Sequence, residues 1–234
     1  SIEDMTEDEI SYVSWGASDA CDYNKVEQIV EENQDQPLFL FNVTMQNHGG
    51  SVAMIEDEYP FIQVEDKYAG YTDVVKYLTL IRESDHAFED LIAYLEDYDK
   101  PVVLCMFGDH QPALDEGFIQ DITSSYSGDS EIEKAEQRYI TPYMIWSNYD
   151  TGVKQVQKDM SLNYLGANLL DVMGYRTTYT NYLLNLEKEI PIMNLVGYRT
   201  KDDVWHSWDE ENALVDDYKK VQYYEMLGRK NNEY

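Results

Sequence analysis

The feature that most constrains this chain is an apolar run at residues 102–107 that ends abruptly in Gly108-Asp109-His110. An unbroken apolar run of this length is typical of a strand covered on both faces, as in a parallel sheet flanked by helices. Ligands of such sheets gather beyond the carboxyl ends of the strands. The sequence therefore predicts that Asp109 and His110 lie at a ligand-binding edge.

A second apolar run, residues 38–45, has the same design, because it ends in a polar turn that carries His48 and two glycines. Between the two runs, residues 71–98 carry apolar side chains at helical spacing. Strand, helix and strand in this order predict a βαβ unit with a right-handed crossover and parallel strands. His48 is then expected at the same edge of the sheet as Asp109 and His110.

The rest of the chain predicts one α/β domain over residues 1–234, with a mainly parallel sheet flanked by helices. No internal repeat or low-complexity linker divides it. Residues 2–9 are expected to be irregular, and residues 203–210 have no clear assignment. The further predicted elements are helices at 22–34, 162–173 and 211–227 and a short strand at 142–147, with Gly174 as a helix C-cap.

Composition narrows the possible partners. The formal net charge is −29, and Lys and Arg clusters that could bind phosphates of nucleic acid are absent. The 43% hydrophobic content favours a globular protein over a disordered acidic tail. No segment predicts a membrane span or a signal peptide. Because the first residue is Ser1 rather than Met, we expect a processed or excised piece.

Two cysteines, Cys21 and Cys105, are present. Cys105 lies within the apolar run 102–107, where a buried free thiol is the simplest interpretation. The sequence leaves open whether a disulfide joins the two cysteines. The cysteine count does not determine the cellular compartment.

Asp109 and His110 offer a hard oxygen and a neutral nitrogen, a donor pair suited to Zn, Mn or Mg. A metal held there can stabilise the oxygens of a phosphoryl or sulfuryl group. His48 can hydrogen-bond substrate oxygens or protonate a leaving group. The alternative is structural, with Asp109 capping the next helix.

Three other candidate residues are interpreted as structural. His86 lies inside the predicted long helix, where a surface or packing position is expected. His206 stands between two tryptophans. Thr44 falls within the predicted strand 38–45, where a β-branched residue is common.

Four sequence blocks occur in a characteristic order and spacing. They are Trp15-Gly16-Ala17-Ser18-Asp19, Phe41-Asn42-Val43-Thr44-Met45-Gln46-Asn47-His48, Phe107-Gly108-Asp109-His110 and Thr141-Pro142-Tyr143. Together they resemble the lipoteichoic acid synthase branch of the sulfatase and alkaline phosphatase superfamily. The resemblance is best over residues 15–174 and leaves 175–234 as a C-terminal extension.

This resemblance implies the C-terminal portion of a sulfatase-like fold in a phosphoglycerol transferase. Such enzymes use a divalent metal, commonly manganese, and transfer glycerol phosphate from a lipid donor through a phosphothreonine. By resemblance, Asp109 and His110 bind the metal and His48 contacts the phosphoglycerol. These enzymes act on the extracellular face of the bacterial membrane, tethered by upstream transmembrane helices.

The family places its nucleophilic threonine and a metal-binding glutamate upstream of the Trp-Gly block. We therefore expect no catalytic nucleophile in this chain and no turnover by it alone. Gly49 and Gly50 stand where the family often has an aromatic residue and proline. The identity of the lipid donor therefore stays open.

Two alternatives remain open beside the phosphoglycerol transferase. The first is another superfamily member, namely a sulfatase, a phosphodiesterase or a phosphoethanolamine transferase. The second is a non-catalytic acidic module that binds cations, cell-wall polymers or a partner protein. The support for the second is the negative charge and the 21 tyrosines, which could form a binding face.

Overall fold

The computed structural model describes residues 5–14, 16–49, 55, 60–123, 131–154 and 156–228. Within them, seven α-helices and five short strands are joined by loops and single 3₁₀ turns. A π-helical turn, Tyr224–Gly228, continues the last helix. In chain order the elements are α1 Asp19–Glu32, α2 Thr72–Glu96, β1 Val103–Phe107, α3 Glu116–Thr123, α4 Glu131–Glu136, β2 Tyr143–Ser147, α5 Leu165–Val172, α6 Thr178–Glu189, β3 Ile192–Met193, β4 Tyr198–Arg199, β5 Trp205–His206 and α7 Ala213–Tyr223.

The chain divides into two compact units. The first comprises Ser1–Leu104, His110–Tyr126 and Trp146–Tyr149, and the second comprises Cys105–Asp109, Ser127–Ile145 and Asp150–Tyr234. Helices α1, α2 and α3 belong to the first unit, whereas α4 to α7 and β3 to β5 belong to the second. The predicted single domain over residues 1–234 stays a prediction.

In the first unit α1 packs against α2. Ser18 caps α1 by accepting a hydrogen bond from the backbone N–H of Cys21. The 25-residue α2 buries Val74, Leu80, Leu91 and other residues on one face, so the helical spacing read from the sequence is confirmed. In the described parts of the chain, neither α2 nor another helix has the length and apolar character that crossing a membrane requires.

Strands β1 and β2 form a two-stranded sheet, and their pairing corrects the predicted parallel arrangement. The N–H of Gly108 donates to the carbonyl of Pro142 at 3.0 Å, and the N–H of Asn148 donates to the carbonyl of Val102 at 3.3 Å. The residue after β1 thus pairs with the residue before β2, and the residue before β1 pairs with the residue after β2. The two strands are therefore antiparallel. An apolar run indicates that a strand needs cover on both faces, but it carries no information about the direction of the neighbouring strand.

The predicted strand 38–45 is not formed among the described residues. This segment is extended and exposed, with Phe39, Phe41 and Val43 exposed by 84%, 67% and 64%. The Asn42 side chain donates a hydrogen bond to Asp22 of α1. The βαβ prediction is therefore wrong for the described residues. The apolar pattern indicated a tendency toward burial, but a strand also needs a neighbouring backbone with which to pair.

The second unit has its own apolar core, centred on Tyr164, Ile190 and Tyr198. The Tyr164 hydroxyl donates to the Ile190 carbonyl at 2.8 Å, so this buried phenol is satisfied. Strands β3, β4 and β5 are antiparallel. The strand β5 occupies part of residues 203–210, which the sequence left unassigned. The predicted helices 162–173 and 211–227 are present in shorter form as α5 and α7.

Both cysteines are free thiols, which answers the disulfide question that the sequence left open. Cys21 is buried, and its thiol donates to the Ser18 carbonyl at 3.1 Å. Cys105 is half-buried in β1, and burial raises the pKa of its thiol. A protonated, half-buried thiol is not an activated nucleophile.

Candidate metal and substrate site

Asp109 and His110 directly follow β1, as the sequence predicts, and both are exposed. The Nδ1 atom of His110 lies 2.9 Å from the carbonyl oxygen of Gln111. A carbonyl can only accept a hydrogen bond, so Nδ1 is the donor in this contact. Nε2 is then the ring nitrogen that His110 would offer to a metal.

Gly108 fixes the backbone immediately before Asp109. Besides its hydrogen bond to Pro142, it lies so close to Thr141 that an added Cβ would stand 3.2 Å from the Thr141 Cβ. That separation is tighter than an ordinary carbon–carbon contact. Glycine at position 108 therefore permits the close approach that places Asp109.

We expect Gly108→Ala to lower the free energy of unfolding by about 1 kcal/mol, because the methyl group crowds a β-branched neighbour in a paired segment. Urea denaturation followed by circular dichroism measures this as a lower midpoint at unchanged slope. Gly70→Ala is the matched control, since an added Cβ at Gly70 meets nothing within 4 Å. Equal midpoints for the two variants would contradict the close approach.

The capping interpretation of Asp109 is wrong, because Asp115 caps α3. The Asp115 Oδ1 accepts hydrogen bonds from the backbone N–H groups of Gly117 at 2.8 Å and Phe118 at 3.3 Å. The backbone N–H of Asp115 in turn donates to Asp73 on α2. Asp109 lies six residues before this cap and is not needed for it.

The donor chemistry of Asp109 and His110 fits a divalent metal, whereas their number does not complete a site. Catalytic metal sites use about three protein ligands. In the part of the chain that the structure describes, no three His, Cys, Asp or Glu side chains are grouped so that they could hold an ion. The two residues can supply part of a coordination sphere.

The turn that carries His48 is held by buried polar groups. His48 itself is exposed, and its N–H donates to the Met45 carbonyl at 3.2 Å. The preceding Gln46 is 1% exposed, and its side chain bonds to both α1 and α2. The prediction that His48 shares an edge with Asp109 and His110 stays a prediction.

Asp19, at the start of α1, is a buried carboxyl group next to Gln46, whose side chain accepts a hydrogen bond from the Asp19 backbone N–H. It is 2% exposed and accepts a hydrogen bond of 2.5 Å from the Ser84 hydroxyl of α2. Burial raises the pKa of the Asp19 carboxyl, and the hydrogen bond from Ser84 opposes that rise. No sequence pattern indicates Ser84, because a serine on the polar part of an amphipathic helix gives no signal.

The remaining sequence candidates have the following positions. His86 is exposed on α2, as expected of a surface histidine. His206 stacks on Tyr198 with ring centroids 5.0 Å apart, and its Nδ1 lies 2.8 Å from Glu210. Thr44 is exposed in the extended segment 38–45. Trp15 and Gly50, which belong to the family blocks and their flank, lie outside the described residues.

The Sulfatase family model matches residues 1–175 of this chain. The match covers most of the chain and includes the His48 turn, Asp109 and His110. The chain belongs to the Sulfatase family.

Two curated proteins are similar to this chain in sequence. A putative cyclic β-1,2-glucan modification protein of Rhizobium meliloti is 28% identical over 227 residues, which are 90% of this chain and 35% of that protein. An uncharacterized protein of Haemophilus influenzae is 31% identical over 143 residues, which are 61% of this chain and 24% of that protein. The chain thus spans about a third or less of the relatives that it matches.

One solved structure has a similar fold. It is Streptococcus pyogenes phosphoglycerol transferase GacH in complex with sn-glycerol-1-phosphate, with a TM-score of 0.65 and 21% identity. The similarity covers 92% of this chain and 50% of that chain. A sulfatase-like α/β fold follows from the family match and from this neighbour.

Proposed function

We propose that this chain is the C-terminal part of a metal-dependent phosphoglycerol transferase similar to lipoteichoic acid synthase, acting on glycerol phosphate groups of a lipid donor. The observation that carries the proposal is the Asp109-His110 pair at the end of β1 in a Sulfatase-family chain. The fold neighbour, a phosphoglycerol transferase with bound sn-glycerol-1-phosphate, supports the substrate class.

In this proposal the Asp109 carboxylate and the His110 Nε2 hold a divalent metal, with Mn the first choice and Mg or Zn as alternatives. When bound, such an ion supplies positive charge for the oxygens of the transferring phosphoryl group. His48, exposed at the end of its anchored turn, hydrogen-bonds the phosphoglycerol.

The proposed nucleophile is a threonine elsewhere in the protein. Its hydroxyl oxygen bonds to phosphorus and loses its proton, the bond from phosphorus to the diacylglycerol oxygen breaks, and that oxygen takes up a proton. The oxygen of an acceptor hydroxyl then bonds to phosphorus and loses its proton, the bond from phosphorus to the threonine oxygen breaks, and the threonine takes up a proton. The exposed apolar segment 38–45 supports a larger domain, because its residues have the composition of a buried strand. We place the reaction at the extracellular face of a bacterial membrane, with upstream segments as the anchor.

A glucan is a second candidate for the acceptor. The Rhizobium meliloti relative is named a putative cyclic β-1,2-glucan modification protein and aligns with 90% of this chain. A sugar hydroxyl can attack the same phosphoryl group as a glycerol hydroxyl. The acceptor would then be a glucan while the donor chemistry stays the same.

The proposal is tested with the complete gene product and with this chain alone, each given phosphatidylglycerol in vesicles and Mn. We expect diacylglycerol release by the complete protein, loss of release with EDTA and recovery with added Mn. The chain alone is expected to be inactive. Transfer of labelled glycerol phosphate to cyclic β-1,2-glucan or to polyglycerol phosphate identifies the acceptor.

Three results would contradict the proposal. Turnover by this chain alone would show that the nucleophile lies within it. Hydrolysis of a sulfate ester or release from phosphatidylethanolamine, without release from phosphatidylglycerol, would favour another superfamily activity. Full activity in EDTA would exclude the role of Asp109 and His110 as metal ligands.

A further inference from the structure

The Ser84 hydroxyl lies at the centre of a hydrogen-bonded cluster next to His48. It donates to Asp19 Oδ2 at 2.5 Å and accepts from Gln46 Nε2 at 3.0 Å and from Asn47 Nδ2 at 2.7 Å. A serine hydroxyl has one donor and two acceptor positions, so its full capacity is used. Two of its three partners are the residues that directly precede His48.

Gln46 ties the turn to both helices. Its Oε1 accepts from the backbone N–H of Asp19 in α1 at 3.0 Å, and its Nε2 also donates to the Leu80 carbonyl of α2 at 3.1 Å. Because this side chain is 1% exposed, its hydrogen bonds are shielded from water. The backbone before His48 is thereby fixed to two packed helices.

Two atoms of the cluster are expected to lower the stability of the fold. Asp19 Oδ1 and Asn47 Oδ1 are buried and have no hydrogen-bond partner among the residues described. Buried polar atoms without partners lower stability. A cluster that served stability alone would be expected to satisfy them.

We propose that Ser84, with Asp19, Gln46 and Asn47, is a positioning cluster that holds His48 at the place where it meets the glycerol phosphate group. This role rests on the proposed function, because it takes His48 as a substrate-binding residue. Ser84 does not touch substrate in this assignment. It acts through the turn, so its loss changes the position and order of His48 rather than the chemistry of the imidazole.

Thr79 provides a matched control on the same helix. Its hydroxyl is buried, donates to the Val75 carbonyl at 2.7 Å and accepts from the Ile62 N–H at 3.1 Å. Thr79→Val therefore removes a hydrogen-bonded hydroxyl of α2 without touching the His48 turn. Ser84→Thr keeps a hydroxyl at position 84 and serves as the conservative rescue. Asn47→Ala is a second, milder test in case Ser84→Ala does not fold.

The experiment combines amide hydrogen exchange with NMR titration of the His48 ring by sn-glycerol-1-phosphate, using the complete protein, because part of the proposed site lies outside this chain. We expect Ser84→Ala to speed exchange of the His48 amide and to weaken binding, each by at least about tenfold, because the three hydrogen bonds of the Ser84 hydroxyl are lost. Asn47→Ala should shift both in the same direction. Thr79→Val and Ser84→Thr should stay within about twofold of the unaltered complete protein.

The outcomes separate the positioning role from the proposed function. For His48→Ala, which lacks the ring, binding is followed by the phosphorus signal of the ligand. If His48→Ala weakens binding while Ser84→Ala and Asn47→Ala leave both measurements unchanged, the positioning role is overturned and the proposed function stands. If exchange quickens but affinity holds, the cluster is merely structural. If the ligand does not perturb His48 in the unaltered complete protein, the proposed substrate site fails and the positioning role fails with it.

Discussion

Asp109→Asn in the complete protein is expected to reduce metal-dependent diacylglycerol release by about 1,000-fold, since a metal ion supplies several kcal/mol of transition-state stabilisation. Asparagine keeps the size of the side chain but loses the negative charge that holds a cation. His110→Ala should have a similar effect, because it removes the nitrogen donor. Both variants should also lose bound Mn, measured by elemental analysis after dialysis.

Two matched substitutions control this prediction. Asp115→Asn makes the same change at the cap of α3, where asparagine caps about as well as aspartate, so activity should stay within about twofold. His86→Ala removes an exposed histidine from α2 and should also be neutral. Retention of both metal and activity by the Asp109 and His110 variants would reject the catalytic interpretation and favour the acidic binding module.

Gly197→Ala is expected to lower the free energy of unfolding by about 3 kcal/mol, the upper end for overpacking. A Cβ at this position would lie 2.3 Å from the backbone carbonyl oxygen of His206. A carbonyl in a paired strand cannot move aside as a flexible side chain would. The β4–β5 pair must therefore shift, and with it Tyr198, which is 1% exposed in the core of the second unit.

Thermal unfolding followed by circular dichroism should show this as a midpoint lower by about 10 °C. The control is Gly166→Ala in α5, where an added Cβ meets nothing within 4 Å. Alanine favours a helix over glycine, so that variant should gain about 0.5 to 1 kcal/mol. An unchanged midpoint for Gly197→Ala would disprove the tight β4–β5 approach.

The sequence predicted those helices and strands that depend on residues close together in the chain. The apolar spacing of residues 71–98 reports one buried helix face, and α2 forms there. The run 102–107 followed by Gly108 places a strand end before Asp109, and β1 ends at Phe107. For residues 38–45 the same kind of pattern failed, because a strand exists only when a neighbouring backbone pairs with it.

The sequence also indicated the residues of the candidate site, since Asp109, His110 and His48 each follow an apolar run. It did not indicate which residues hold the His48 turn in place. Ser84 is separated by 38 residues from Gln46 and by 65 from Asp19. No local pattern in a single sequence joins positions so far apart.

By itself, the sequence determined the helices α1, α2, α5 and α7, the strands β1 and β2, the position of Asp109 and His110 directly after β1, and the family resemblance that the Sulfatase match confirms. Only the tertiary structure decided that β1 and β2 are antiparallel, that Asp115 rather than Asp109 caps α3, and that both cysteines are free. It also joined Ser84 to the His48 turn. The physical reason is that hydrophobic periodicity records which side chains avoid water, whereas strand direction and polar contacts depend on which distant segments meet.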